Sequence, residues 1–306
     1  MAVGIGIGLS RFPFDSAREY WRWVEQCETG RVDSIWQTDR LVSTEPMLEV
    51  LSTMAALAGA TERIRFGMNV ASIALRDPLV TAKQCATIDY LSNGRMLPGF
   101  GLGSTRSADY AATGTPTARR GKKANEALQL MARLWTEPAV TFKGEFYQYQ
   151  DAVIEPKPAN ARIPLWIGGS SEVAMRRTAR YGTGWLGGLD TPAQAAEMVK
   201  GIRAKLSDYG RSIDEDHYGA TFSFYIGRDD RDAAKDTRAA MVARLKKDPS
   251  PYMAVGEVSD IIDRIEAFRD AGCSKFVLMP IGRGWAEISE QTRLLIEQVL
   301  PEYDGQ

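Results

Sequence analysis

Residues 64–104, IRFGMNVASIALRDPLVTAKQCATIDYLSNGRMLPGFGLGS, decide the fold. Ile64–Val70 reads as an apolar strand, and after a loop the chain is predicted to be helical from Pro78 to Leu91. Ser92-Asn93-Gly94 is a turn signal, and a second apolar strand, Arg95–Gly101, ends in Gly-Leu-Gly-Ser. This is a βαβ unit whose second strand finishes in a glycine-rich mouth, and such a unit points to a parallel sheet.

The same alternation extends in both directions. Toward the N-terminus, Val3–Leu9 suits a buried strand, a helix follows Ser16, and Asp33–Gln37 is a second strand. Glu45–Gly59 reads as a helix with Pro46 in its first turn, where the missing N–H costs nothing. Beyond the central unit a long helix covers 118–136, with Ala124, Leu128, Met131, Leu134 and Trp135 at helical spacing. The pattern breaks between Glu137 and Arg162: TFKGEFYQYQ looks like a hairpin turning at Lys143-Gly144, and EPKPANARIP is proline-rich connecting chain. Strands then follow at Leu165–Ile167, Gly184–Leu186, Ala220–Ile226 and Lys275–Met279. Their helices are SEVAMRRTARYG, Pro192–Tyr209, Glu257–Ala271 and Trp285–Leu300, with a helical insertion over Asp230–Lys247. Eight strands, each followed by a helix, describe a single α/β domain over 1–306, a closed (βα)8 barrel with insertions after helix four and strand seven. An open doubly wound sheet is the competing fold.

Composition narrows the function. The chain is 44% hydrophobic and 25% charged, with a net charge of −1 and no block of like charges, so nucleic-acid and membrane partners are not expected. The segment MAVGIGIGLSRF has no basic n-region and no run of 18 apolar residues follows, which leaves a cytoplasmic location as the expectation. Cys27, Cys85 and Cys273 lie far apart and read as buried small hydrophobes. The one histidine, His217, rules out a His-rich metal site and reads as a strand-entry residue. Trp21, Trp23 and Trp36 read as packing.

In a barrel, chemistry sits at the carboxyl ends of the strands. Gly168-Gly169-Ser170-Ser171 places small residues at a helix N-terminus, where unpaired N–H groups and the dipole favour a phosphate; an ordinary Ser N-cap is the alternative. Gly101-Leu102-Gly103-Ser104 would let backbone approach a flat ring, or it is simply a tight turn. Gly4-Ile5-Gly6-Ile7-Gly8 is not a dinucleotide fingerprint, because no strand precedes it and the third glycine is misplaced.

Taken together these residues resemble the luciferase-like flavin or deazaflavin oxidoreductases. The likeness rests on Ile64–Val70 followed by Leu75-Arg76-Asp77-Pro78, on Ala86–Arg95 and on Gly99–Gly103. Glu155-Pro156-Lys157-Pro158, Pro164–Ser170 and Ala271–Pro280 extend it over nearly the whole chain. The resemblance implies a ring, of coenzyme F420 or FMN, in the barrel mouth. It further implies a phosphate at Gly168, Gly169, Ser170 and Ser171, and ring contacts from Asp39, Asn69, Val70, Gly103 and Ser104. It also implies a non-proline cis peptide at Asn69–Val70, a small-molecule substrate and a homodimer. Deazaflavin-using members commonly carry Asp-His after strand two; here the pair is Asp39-Arg40. A guanidinium stays charged, so Arg40 suits anion anchoring better than proton exchange. Asp39 and Arg40 are the candidate catalytic pair, with an Asp39–Arg40 ion pair as the alternative role. The implied activity is hydride transfer with F420 or FMNH2-dependent monooxygenation, with a slight leaning toward F420; a flavin-binding protein without turnover is the rival from another class.

Overall fold

The computed structural model describes residues 3–160, 163–228 and 231–303. Its first strand, β1 (Gly4–Leu9), turns the alternation of glycine with aliphatics into two faces. Ile5, Ile7 and Leu9 join the core beneath the helices, while Gly6 and Gly8 face inward toward Trp36 and Val277. The elements continue as α1 (Ala17–Thr29), β2 (Ser34–Gln37), α2 (Val50–Ala60), β3 (Arg65–Met68), β4 (Ala71–Ser72), α3 (Pro78–Leu91), β5 (Met96–Leu97) and β6 (Gly99–Gly101). Next come α4 (Ala108–Ala112), α5 (Arg120–Thr136), β7 (Val140–Lys143), β8 (Gln148–Ala152), β9 (Trp166–Gly168), α6 (Glu172–Tyr181), β10 (Gly184–Leu186) and α7 (Pro192–Leu206). The chain closes with β11 (Tyr218–Ile226), α8 (Asp232–Leu245), β12 (Met253–Gly256), α9 (Val258–Asp270), β13 (Lys275–Pro280) and α10 (Gly284–Leu294).

All strands but the β7–β8 hairpin form one curled parallel sheet, in the order β4-β6-β9-β10-β11-β13-β1-β2-β3-β5, with β12 added to β11. The two ends of that order are pieces of the same strands. β3 pairs with β5 and β4 with β6, and the chain passes from β3 to β4 through Asn69–Val70 and from β5 to β6 through Pro98. This is an α/β fold whose sheet curls back toward its own beginning.

Most expected elements are present, α3 with the expected ends. Its Asp77 carboxylate caps the Leu79 and Val80 amides, and Pro78 occupies the first turn. The helix expected over 45–59 begins instead at Val50. Glu49 caps Leu51 and Ser52, and Pro46 stays in the preceding loop, its carbonyl accepting from the Phe12 amide. The expected strand 64–70 ends at Met68 and is followed by the short β4 beyond it, the expected strand 95–101 is split in two, and β12 and α4 are additional. The hairpin at Lys143-Gly144 and the helix after β11 both form, though Asp230, like Arg162, lies outside the described residues. All three cysteines are buried and unbridged. No helix among the described residues is long and apolar enough to cross a membrane.

At the amino ends of the strands, Lys275 and Arg65 pair with Asp33. Burial opposes ionisation of Asp33, but the two cations outweigh it and hold the carboxyl far below its ordinary 3.8. A depressed folded pKa contributes stability that is present above the unfolded value and is lost as pH falls toward the folded one. The urea midpoint should therefore be flat between about pH 5 and pH 7 and drop steeply below about pH 4, a slope that the charge-removing variant Asp33→Asn should reduce.

Candidate active site

Beneath the carboxyl ends of the strands the interior is filled by Trp36, Leu97, Trp166, Leu186 and Val277. Trp36 and Trp166 meet edge to face with ring centroids 6.0 Å apart. The indole of Trp36 fits only because its neighbours lack side chains: a Cβ on Gly67 would lie 2.7 Å from its ring, and one on Gly6 2.9 Å from Nε1. The N-terminal glycines thus serve packing, in agreement with rejection of a dinucleotide fingerprint. Val70 and Met279, both half-buried, cap this layer and form an apolar floor for the mouth.

The Asn69–Val70 peptide is cis, as the resemblance implies. Val70 sits in a socket of glycines: a Cβ would come within 3.2 Å of its methyls at Gly99, 2.7 Å at Gly101 and 2.8 Å at Gly168. The small residues at 101 and 168 therefore make room for Val70 itself, which corrects the expectation that Gly101 admits a ring. Asn69 donates from Nδ2 to Thr221 Oγ1 at 3.2 Å, tying the strand-three end to β11 across the mouth. Gly103 has φ +61 and covers Ser72, and the Ser104 hydroxyl accepts from the Arg106 amide at 3.2 Å. Both lie exposed on the rim.

The loops after β9 and β10 are joined through one buried carboxylate. Ser170 donates to Asp190 Oδ2 at 2.6 Å, and the Gly188 amide donates to the same oxygen at 3.0 Å. Burial raises the Asp190 carboxyl above its ordinary range, against the pull of these two donors. Ser171 is the N-cap of α6, its hydroxyl accepting from the Ala174 amide at 3.2 Å. Both serine hydroxyls are thus engaged, so what the loop offers an anion is the first amides of α6 and the dipole behind them. Gly169 has φ +118, its carbonyl accepts from Trp185 Nε1 at 2.9 Å, and a Cβ on Gly188 would meet nothing within 4 Å. Exposed amides, a glycine cradle and an apolar floor fit a phosphate-bearing planar ring. Asp190 was not legible from the sequence; only the Gly187-Gly188 pair ahead of it gave a signal.

Asp39 is paired with Arg76 and not with Arg40. Its carboxylate, 2% exposed, takes two bonds of 2.7 Å from the guanidinium and one of 3.0 Å from the Ser72 amide. Desolvation of Arg76 is outweighed by Asp39, and the guanidinium is held more firmly charged. Arg40 is exposed and makes no ion pair among the described residues. Arg120, at the start of α5, donates to the carbonyls of Leu102 and Gly103 at 2.9 and 2.8 Å. His217 lies at the opposite end of the sheet, immediately before β11, with Nδ1 2.8 Å from the Thr183 carbonyl oxygen.

Comparison with known proteins gives these features a context. Residues 4–293 match the model of the luciferase-like monooxygenase family. The F420-dependent glucose-6-phosphate dehydrogenase of Intrasporangium calvum is 31% identical over 172 residues, 54% of this chain and 51% of that protein. The chain spans about half the length of the curated relatives it matches. Among solved structures, an F420-dependent secondary alcohol dehydrogenase bound to an F420–acetone adduct superposes with a TM-score of 0.84 at 19% identity, covering 98% of this chain and 99% of that one. The oxygenating constituent of 3,6-diketocamphane monooxygenase of Pseudomonas putida, in complex with FMN, gives 0.79 at 14% identity, with 98% of each chain covered. With the family match running through every strand of the curled sheet, the chain belongs to the luciferase-like monooxygenase family.

Proposed function

We propose that this protein is an oxidoreductase that binds coenzyme F420 or FMN non-covalently in the strand-end mouth and acts on a small organic substrate, in the cytoplasm. The observation that carries the reading is the joined pair of loops 168–171 and 187–190, an amide-rich cradle beside an apolar floor. In this reading Gly168, Gly169, Ser170 and Ser171 hold the phosphate, and Asn69, Val70, Gly103 and Ser104 border the ring. When bound, the ring supplies the redox chemistry, by hydride exchange as F420 or by oxygen activation as reduced FMN. Asp39 fixes the end of strand three through Arg76 and Ser72, while Arg40 is available to an anionic group.

The curled sheet is read as one (βα)8 barrel over 1–306, with the hairpin β7–β8 inserted after its fourth helix and α8 after its seventh strand. A homodimer through α2 and α3 is part of the same reading. The outer face of α2 exposes Ser52, Ala55, Ala56, Gly59 and Ala60, and α3 beside it exposes Val80, Tyr90 and Leu91. Small residues next to apolar ones allow close helix approach.

Titration of the protein with FMN and with F420, followed by the visible absorbance of the ring, tests the cofactor. One of the two is expected to bind with a shifted spectrum and to be reduced by a donor found in a screen. Failure of both rings to bind would remove the proposal, and tight binding without reduction by any donor would return the non-catalytic reading.

A further inference from the structure

The connection between β2 and α2 is pinned across the mouth by a carboxylate that no sequence motif announces. Asp109, on α4, is 5% exposed, yet its Oδ1 accepts from the backbone amides of Val42 at 2.8 Å and Leu41 at 3.2 Å. Because Asp39 in the same connection holds the Ser72 amide at the end of β4, the segment Asp39–Val42 is fastened at both ends. It runs from the carboxyl end of β2 toward the loop that follows β6, over the split strand three. The far side is itself braced: Tyr110 donates to the Leu102 carbonyl at 2.5 Å, and Arg120 covers the Tyr110 ring.

What this clamp holds out is unusual. Leu41 and Val42 are 41% and 45% exposed and join none of the core clusters. Arg40, adjacent to them, is exposed and unpaired among the described residues. A guanidinium without a carboxylate, next to two aliphatic side chains on a backbone that is held still, matches a ligand with an anionic head and an aliphatic body. Holding the segment in place beforehand avoids an ordering cost on binding.

We propose that Asp109 is a positioning residue for substrate recognition, fixing Arg40-Leu41-Val42 as a rim that selects small aliphatic carboxylates. The inference rests on the reading above for placing the reacting centre in this mouth.

The test uses calorimetric titration of the full chain with octanoate and with octanamide, both without cofactor and after loading with whichever ring binds. The parent should take octanoate about tenfold more tightly than the amide, and Arg40→Gln should erase that preference. Asp109→Ala should weaken both probes about tenfold, whereas Asp109→Asn, which keeps an oxygen acceptor, should stay within about threefold of the parent. Ring affinity should be unchanged in both Asp109 variants. Equal binding of the two probes, binding of neither, or a preference that survives Arg40→Gln would each overturn the inference. Octanoate selectivity that depends on Arg40, in a protein that binds neither ring, would sustain this inference while removing the cofactor reading.

Discussion

Gly169→Leu is expected to weaken capture of FMN or F420 on the order of a hundredfold while leaving the fold intact. At φ +118 the backbone of residue 169 lies where side-chain-bearing residues are strained, and a Cβ there would come within 3.3 Å of the Ala174 methyl. Relief of that strain requires the loop to turn, and turning it moves the first amides of α6 off the position a phosphate would occupy. Ser170→Ala provides the contrast. The Ser170 hydroxyl already points to Asp190, so its loss should cost less than about tenfold, through slackening of the two loops rather than through a missing ligand contact. Absorbance titrations of both variants, with thermal melts to confirm folding, read the ranking. A folded Gly169→Leu protein that binds the ring as tightly as the parent would show that the cradle is not where the phosphate rests.

Lys275→Met should lower global stability by about 3–5 kcal/mol, the largest effect expected of any single change away from the mouth. Lys275 is buried, and its ammonium pairs with Asp33 at the amino ends of the strands. Removing it leaves Asp33 largely desolvated with only the half-exposed Arg65 for company. The harm comes from the orphaned charge more than from the lost attraction, so Asp33→Leu combined with Lys275→Met should recover most of the deficit. Urea unfolding midpoints of the single and double variants decide this: a double variant as weak as the single one would show that the pair matters for shape and not for charge.

The sequence made the repeating strand–helix order legible because strand and helix periods differ and the punctuation is strong. The boundaries of α3 were right because Asp77-Pro78 and Asn93-Gly94 are local signals whose physics is complete within a few residues. Strands three and four read as continuous runs because hydrophobicity does not encode the turn of backbone at Asn69–Val70 or the missing N–H of Pro98. β12 and α4 escaped because each is only a few residues long. The glycines of the mouth were visible, but not their tenant: that Val70 fills the space left by Gly99, Gly101 and Gly168 is a fact of three strands meeting. The same applies to Asp39 with Arg76, to Asp190 with Ser170 and to Asp109 with Val42. Each carboxylate is unremarkable in its own neighbourhood and acquires a role from a partner 20 to 67 positions away.

The crossed indoles under the mouth carry an optical consequence. Trp36 and Trp166 emit in the near ultraviolet, where oxidised isoalloxazines absorb, and they belong to the interior cluster against which Val70 and Met279 of the floor are packed. Energy transfer from them would dim the emission in step with occupancy, so the packing that closes the interior doubles as a gauge of loading that needs no label.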